Sequence, residues 1–478
     1  MKHSEYINTL DVALLRSLLK PYPTLKKSCL LISAILVMGC ADFVEVQPPK
    51  NTLVSETVFN DAATVESALA NLYYDMREQG MVSGAFGLTT AMGIYSDELD
   101  YYGFSADYVQ LFQHNVLPGN GAVLEWWRQA YHLIYGANDI IKGVDGTDGL
   151  TTVEKNSFKG QALFIRAYLH SLLVSVFGDV PYVETTDYLK TNTVVRTDVD
   201  EVNDLIIADL EAALVLLEGT APVSDERIYP DQNVVKALLA RMHLYIGYWE
   251  EAAAMATELI DDFPLESDLN QVFLKGSQET IWQLKADNES PKNTREAEQL
   301  IIQSVPGQTY ALTNDLLNAF EADDLRRDQW VNGISDMDNT VTYYYAHKYK
   351  AGINENEALE YSILFRSAEQ MLIRAEARIR LGDIVGAQSD LNAIRNRAGL
   401  ANTMASTQNE ILDAIINERR FELFTEQGHR WFDLKRLGKA DEILGQFKPN
   451  WKATDVRLPI PESELDTNPN LLPQNPGY

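Results

Sequence analysis

The chain has 478 residues and a formal net charge of −29, with 46% hydrophobic and 23% charged residues. That apolar content excludes a disordered chain, and the acidity argues against a nucleic-acid partner, which needs a basic face to release counterions. It equally disfavours adhesion to anionic lipid through charge, so any membrane attachment has to come from something else.

The first feature in chain order supplies it. Residues 28–39, SCLLISAILVMG, form an apolar run behind Lys26 and Lys27. This is the layout of a secretory signal peptide, and it is too short to span a bilayer, which needs about 20 apolar residues. The run closes on Val37, Met38, Gly39 and Cys40, which resembles a bacterial lipobox, where the Cys is acylated and becomes the mature N-terminus. The chain has two cysteines, and Cys29 lies in the segment to be removed, leaving Cys40 with no internal partner. Lipidation explains its presence, and several acyl chains anchor firmly where one is marginal. Residues 1–24 are long for a signal n-region and are read as a start assigned too far upstream. The expectation is a signal peptide over 1–39 and one continuous body over 40–478, because no Gly/Ser, Pro/Ser or like-charge tract separates modules.

Helical spacing dominates from Ala62 onward. It predicts helices over Ala62–Arg77, Leu124–Val144, Val153–Phe177, Glu201–Leu217, Val234–Tyr245, Trp249–Ile260, Ser367–Leu381, Ile384–Arg397 and Gln408–Leu437. Placing Gly247 on Gly382 also aligns Ala240 with Ala375, Leu244 with Ile379, Ala252 with Ala387 and Leu259 with Ile394. A glycine at a tight turn between helices with small residues at their contact is the pattern of tetratricopeptide-type hairpins, which must stack to bury their apolar faces. Two zones, Gly80–Gly121 and Lys275–Glu360, show weak periodicity and short strand-like runs such as TIWQLKA and TVTYYYAHKYK. The fold class is therefore mainly α, a scaffold of helical hairpins carrying a loop-rich, aromatic-bearing second face. Loops on such a scaffold are where recognition usually sits.

Catalytic signals are sparse. The seven histidines are scattered without the i, i+4 spacing of a zinc helix. There is no phosphate-cradling glycine loop, no GxSxG elbow, no eligible catalytic Cys and no dense loop of alternating oxygen ligands for calcium. No metal or cofactor and no enzymatic activity are expected, although paired carboxylates for glycoside hydrolysis can come from anywhere in an acidic chain. The most concentrated charge lies in INERRFELFTEQGHRWFDLKRLG, Ile416–Gly438. There Glu418, Arg419, Arg420 and Glu422 precede His429, Arg430, Trp431 and Asp433 on one expected helix, read as ion pairs locking it to the body.

That segment, together with LPIPESELDTNPNLLPQNPGY (Leu458–Tyr478), GQALFIRAYLHSLLVSVFGDVPYV (Gly160–Val183) and EVNDLIIADLEAALVLL (Glu201–Leu217), resembles the SusD/RagB family of Bacteroidetes surface lipoproteins. Gln427 stands where the family usually has Glu before Gly428. The resemblance implies four tetratricopeptide-like units and a lid over a SusC-like TonB-dependent outer-membrane transporter. It also implies an outer-membrane location through the lipid anchor, facing the exterior, and binding of oligosaccharides or polysaccharides without cleavage. A peptide-binding RagB-like subunit and a surface polysaccharide-degrading enzyme remain the alternatives. Sugar capture needs aromatic faces to stack on rings and polar groups to orient them. The expected ligand-binding residues are accordingly Tyr101, Tyr102, Phe104 and Tyr108, with Asp97 beside them and Asn288 and Arg295 from the second zone. Trp126, Trp127, Trp282, Trp330 and Trp431 are assigned to the core.

Overall fold

The computed structural model describes residues 58–220, 224–286, 292–352 and 355–478. The expected signal segment 1–39 and the acylation site Cys40 lie outside them. In chain order the longer helices are α1 (Ala62–Glu78), α2 (Leu88–Tyr95), α3 (Ala106–Gln113), α4 (Gly121–Gly146), α5 (Thr152–Phe177), α6 (Val199–Leu216), α7 (Gln232–Ile246) and α8 (Trp249–Ile260). They continue as α9 (Ser367–Arg380), α10 (Ile384–Arg397), α11 (Gln408–Glu422), α12 (His429–Arg436) and α13 (Ala440–Phe447).

The central helix is α5. A reciprocal Thr151–Glu154 capping box starts it, and from Phe158 to Phe177 nearly every side chain is buried. A helix apolar on all sides belongs inside the body, and this one does, although its length and composition would also suit a bilayer. From α4 to α11 each helix packs against its successor.

The hairpin repeat is realised at both turns. Gly247 ends α7 at φ 84° and Gly382 ends the turn after α9 at φ 86°, a left-handed conformation that glycine adopts without a Cβ penalty. Ala240, Leu244, Ala252 and Ala256 of the first hairpin close on Ile373 and Ala377 of α9. Ala375, Ile379, Ala387 and Leu391 of the second close on Ile411 and Ile415 of α11. Each pair thus buries its apolar face on the next helix, which is why the repeat stacks.

Among the described residues the strands form three two-stranded antiparallel sheets: β1 (Leu99–Tyr101) with β3 (Tyr310–Leu312), β2 (Thr280–Leu284) with β6 (Ser362–Arg366), and the hairpin β4 (Val331–Ser335) with β5 (Thr342–Ala346). The five tryptophans assigned to the core are all buried. The weakly periodic zones are more regular than expected. In the first, all eight residues of α2 are buried, so no polar face marks it as a helix in the sequence.

The helix expected over Gln408–Leu437 is corrected to two. The chain leaves α11 after Glu422, passes through positive φ at Thr425, Gln427 and Gly428, and begins α12 at His429. A Cβ at Gly428 would stand 2.9 Å from the Met92 Cβ, so the close approach of this turn to α2 needs glycine. The break lets Glu422 and Glu426 face inward together. Arg366 meets Glu279 at 2.7 Å, Glu422 at 2.6 Å and Glu426 at 2.8 Å, while Arg326 meets Asp324, Glu418 and Glu422. The ion pairs therefore run between elements rather than along one helix. Burial alone would raise the Glu422 carboxyl, but the surrounding Arg397, Arg366 and Arg326 hold it well below the usual range.

Candidate functional site

The β1–β3 pair joins the two loop zones. Its register sets Leu99 opposite Leu312, Asp100 opposite Ala311 and Tyr101 opposite Tyr310. The Tyr102 N–H donates to the Thr309 carbonyl at 2.9 Å, and the Thr313 N–H donates to the Glu98 carbonyl at 3.0 Å, so the pairing is fastened at both ends.

From this short sheet the expected aromatics diverge. Tyr108 is buried, its hydroxyl donating to the Ala85 carbonyl. Tyr101 is half-buried, its ring packed between Tyr108 and Tyr310, and its hydroxyl accepts the Ser105 N–H. These two rings hold the loops on the scaffold. Tyr102 is 40% exposed and meets Tyr343 of β5 edge-on at 5.3 Å, while Phe104 is fully exposed. Phe86, stacked obliquely on Tyr108, is also exposed.

Asp97 lines the cavity beside β1 and is held by arginines. It is 3% exposed, Arg430 grips both its oxygens at 2.7 and 2.8 Å, and Arg420 adds a contact at 2.9 Å. Burial pushes this carboxyl up, yet the Arg430 hydrogen bond and the two guanidinium charges bring it below the usual range. A carboxylate so bound anchors β1 to α11 and α12. Arg295 is engaged too, with Glu78 and Glu298, both at 2.6 Å. Asn288 lies outside the described residues.

Beside β1 opens a cavity of about 600 Å³ lined by Asp100, Phe112, Gln113, Asn314, Phe447, Lys448 and Asn450 among others. Asp100 and Tyr102 are two apart and so lie on one side of the extended chain. Burial raises the Tyr102 hydroxyl and the Asp100 charge raises it further. Burial likewise raises the Asp100 carboxyl, offset in part by Lys448. The Lys448 ammonium donates to the Ile94 carbonyl at 2.7 Å and sits 4.3 Å from the centre of the Phe112 ring; burial lowers it to about 8. Asp315 is engaged by Arg420. The cavity lining thus has one exposed ring face, Phe447, a half-buried carboxylate at Asp100, and exposed amides at Gln113, Asn314 and Asn450, with the exposed Tyr102 ring two residues along the chain from Asp100. Such a set binds by stacking and hydrogen bonding. No group of three or more His, Cys, Asp or Glu suited to a metal occurs among the described residues.

Phe447, Lys448 and Tyr343 went unmarked in the sequence reading. The Pro449–Asn450 turn after an amphipathic helix signals a loop, but nothing in it signals which distant strand the loop meets.

The description "Starch-binding associating with outer membrane" fits residues 42–244, and the description "SusD family" fits residues 306–478. The chain belongs to the SusD/RagB family. SusD-like protein P2 of Formosa agariphila is 27% identical over 95% of this chain and 99% of its own length. SusD folds superpose over nearly all of the described body. A SusD-like carbohydrate binding protein from Bacteroides fragilis is 20% identical with a TM-score of 0.76, covering 87% of this chain and 100% of that one. Surface glycan-binding protein A from Bacteroides thetaiotaomicron, solved with laminarihexaose, is 20% identical with a TM-score of 0.74, covering 86% and 99%.

Proposed function

We propose that this SusD-like protein is a non-catalytic glycan-binding lipoprotein, tethered to the exterior of the outer membrane through Cys40, that captures oligosaccharide or polysaccharide and passes it to a SusC-like TonB-dependent transporter. The observation that carries the reading is the Asp100-lined cavity with the exposed Phe447 ring in its wall, together with the exposed Tyr102 and Phe104 rings two and four residues beyond Asp100 in the chain. Ring faces cover the apolar faces of sugars, and the carboxylate and amides accept and donate to hydroxyls. The relatives support it: one is named for carbohydrate binding and another is complexed with laminarihexaose. The matching description naming association with the outer membrane supports the location. Tyr101, the other partly exposed ring of the loop, shapes this surface from beneath.

The test is calorimetric titration with laminarin, starch and a peptide pool, with release of new reducing ends followed in parallel. Saccharide binding without cleavage is expected, and Tyr102→Ala combined with Phe104→Ala weakens it at least tenfold, about 1.4 kcal/mol. Binding of peptides alone, or appearance of reducing ends, overturns the reading.

A further inference from the structure

A second cavity of about 650 Å³ shares no lining residue with the first. One wall is α4, where Trp127, Tyr131 and Tyr135 recur every fourth residue and so fall along one helix face, about 6 Å apart in rise. Trp127 is buried beneath, Tyr131 is half-buried, and Tyr135 is 50% exposed. Opposite stands Tyr188, 71% exposed, at the start of the short helix Tyr188–Thr191 within the segment from Pro181 to Val194. The C-terminal segment around Asn468 closes the third side.

These walls are tied together. The Tyr131 hydroxyl donates to the Pro181 carbonyl at 2.8 Å, Asn138 Nδ2 to the Val183 carbonyl at 2.8 Å, and Asn468 Nδ2 to the Val194 carbonyl at 2.8 Å. The cavity is therefore held open by side-chain bonds to loop backbone, a preorganised site that a ligand need not order. Its charged pair is internally balanced: Arg128 meets Glu464 at 3.0 Å. What remains at the rim is hydrogen-bonding, including exposed Asn192 and exposed His132. Two exposed aromatic faces, amide, imidazole and hydroxyl groups, and no unpaired Asp, Glu, Lys or Arg in the lining match an uncharged, ring-bearing, hydroxyl-rich chain better than an anion or an acidic peptide.

We propose that this cavity is a second saccharide subsite, holding a neutral stretch of glycan with Tyr135 and Tyr188 as ring platforms. It rests on the reading that the protein binds glycan and adds a separate contact for the same polymer. Two sites on one polymer raise avidity without new affinity at either, provided the chain spans both.

The test uses affinity electrophoresis of the purified protein through gels containing laminarin, starch, xylan or mannan, then titration with the polymer that retards it most. Tyr135→Ala combined with Tyr188→Ala is expected to weaken polymer binding about fivefold, by loss of stacking. Both tyrosines are at least half exposed, so the melting temperature stays at the wild-type value. In the Tyr102→Ala, Phe104→Ala background, residual binding is expected and is removed by the Tyr135 and Tyr188 changes. If the Tyr135 and Tyr188 changes leave binding intact while the Tyr102 and Phe104 changes abolish it, the subsite is refuted and the glycan reading stands. If none of the four polymers retards the protein, both fall together.

Discussion

The segment Tyr101–Tyr108 holds four rings of similar chemistry, and exposure alone divides their work. Tyr101 and Tyr108 are spent on packing, whereas Tyr102 and Phe104 face solvent. Alternation along an extended strand explains the first split, since neighbours point to opposite sides. Just before β1 the alternation no longer decides exposure: Glu98 is fully buried one residue from the equally buried Asp97. Burial, and then the Asp97 charge, raise its carboxyl from 4.5 to about 8. The folded protein therefore keeps a proton that the unfolded chain releases above 4.5, so this residue's contribution to stability is complete below 4.5 and is lost as pH rises toward 8. The slope is at most about 1.4 kcal/mol per pH unit. Buried His170 and His429 are pushed down by burial and act with the opposite sign below their ordinary value, so the informative quantity is a difference. Urea midpoints at pH 5 and pH 7.5 are expected to show Glu98→Gln gaining on the wild type as pH rises. Equal gaps at the two pH values would remove the assignment.

At the scale of elements, the sequence is most legible where helices are amphipathic and least where they are buried all round. The hairpins were readable because Gly247 and Gly382 punctuate two matching runs, and both occupy left-handed turns. The same punctuation was missed at Gly428, because the flanking charges at Glu418–Glu422 and His429–Asp433 imitate one continuous charged helix. The two glycines also differ in kind. Nothing lies within 4 Å of a Cβ at Gly382, so Gly382→Ala meets only backbone strain, about 1–2 kcal/mol. At Gly428 the same strain combines with a clash against Met92, and roughly 3 kcal/mol or more is expected. Chemical denaturation of the two variants orders them: Gly428→Ala unfolds at clearly lower urea than Gly382→Ala, and the reverse order would contradict the packing described for α2. The candidate site falls on the illegible side of the same divide. Asp100 and Phe447 come from opposite ends of the chain, and local spacing carries no record of that meeting.

Across the whole molecule, buried charge ties the helical scaffold to the loop-bearing face. Glu279 precedes β2, Arg366 ends β6, Arg326 lies between β3 and β4, Arg397 ends α10, and Glu418, Glu422 and Glu426 come from α11 and the turn after it, yet they form one network. Lys348 joins through Glu426 and lies 4.8 Å from the Trp330 ring centre. Such a cluster need not stabilise more than apolar packing would, but removing one member leaves the others charged, buried and short of a partner. Arg366 is the hub, 2% exposed and bound to three carboxylates. Arg366→Met keeps the bulk and deletes the charge, so Glu279, Glu422 and Glu426 each lose a partner, and about 3–5 kcal/mol of stability is expected to go. The comparison is Lys159→Met, which breaks a pair with Asp145 whose side chains are 30% and 54% exposed and which costs no more than about 1 kcal/mol. Because the network joins β2 and β6 to α10 and α11, its loss is expected to loosen the two faces from each other, which hydrogen exchange reads as faster exchange in β2, β6 and α11 together. An Arg366→Met protein as stable as Lys159→Met, with exchange unchanged in those three elements, would show that apolar packing alone holds the loop face to the helices.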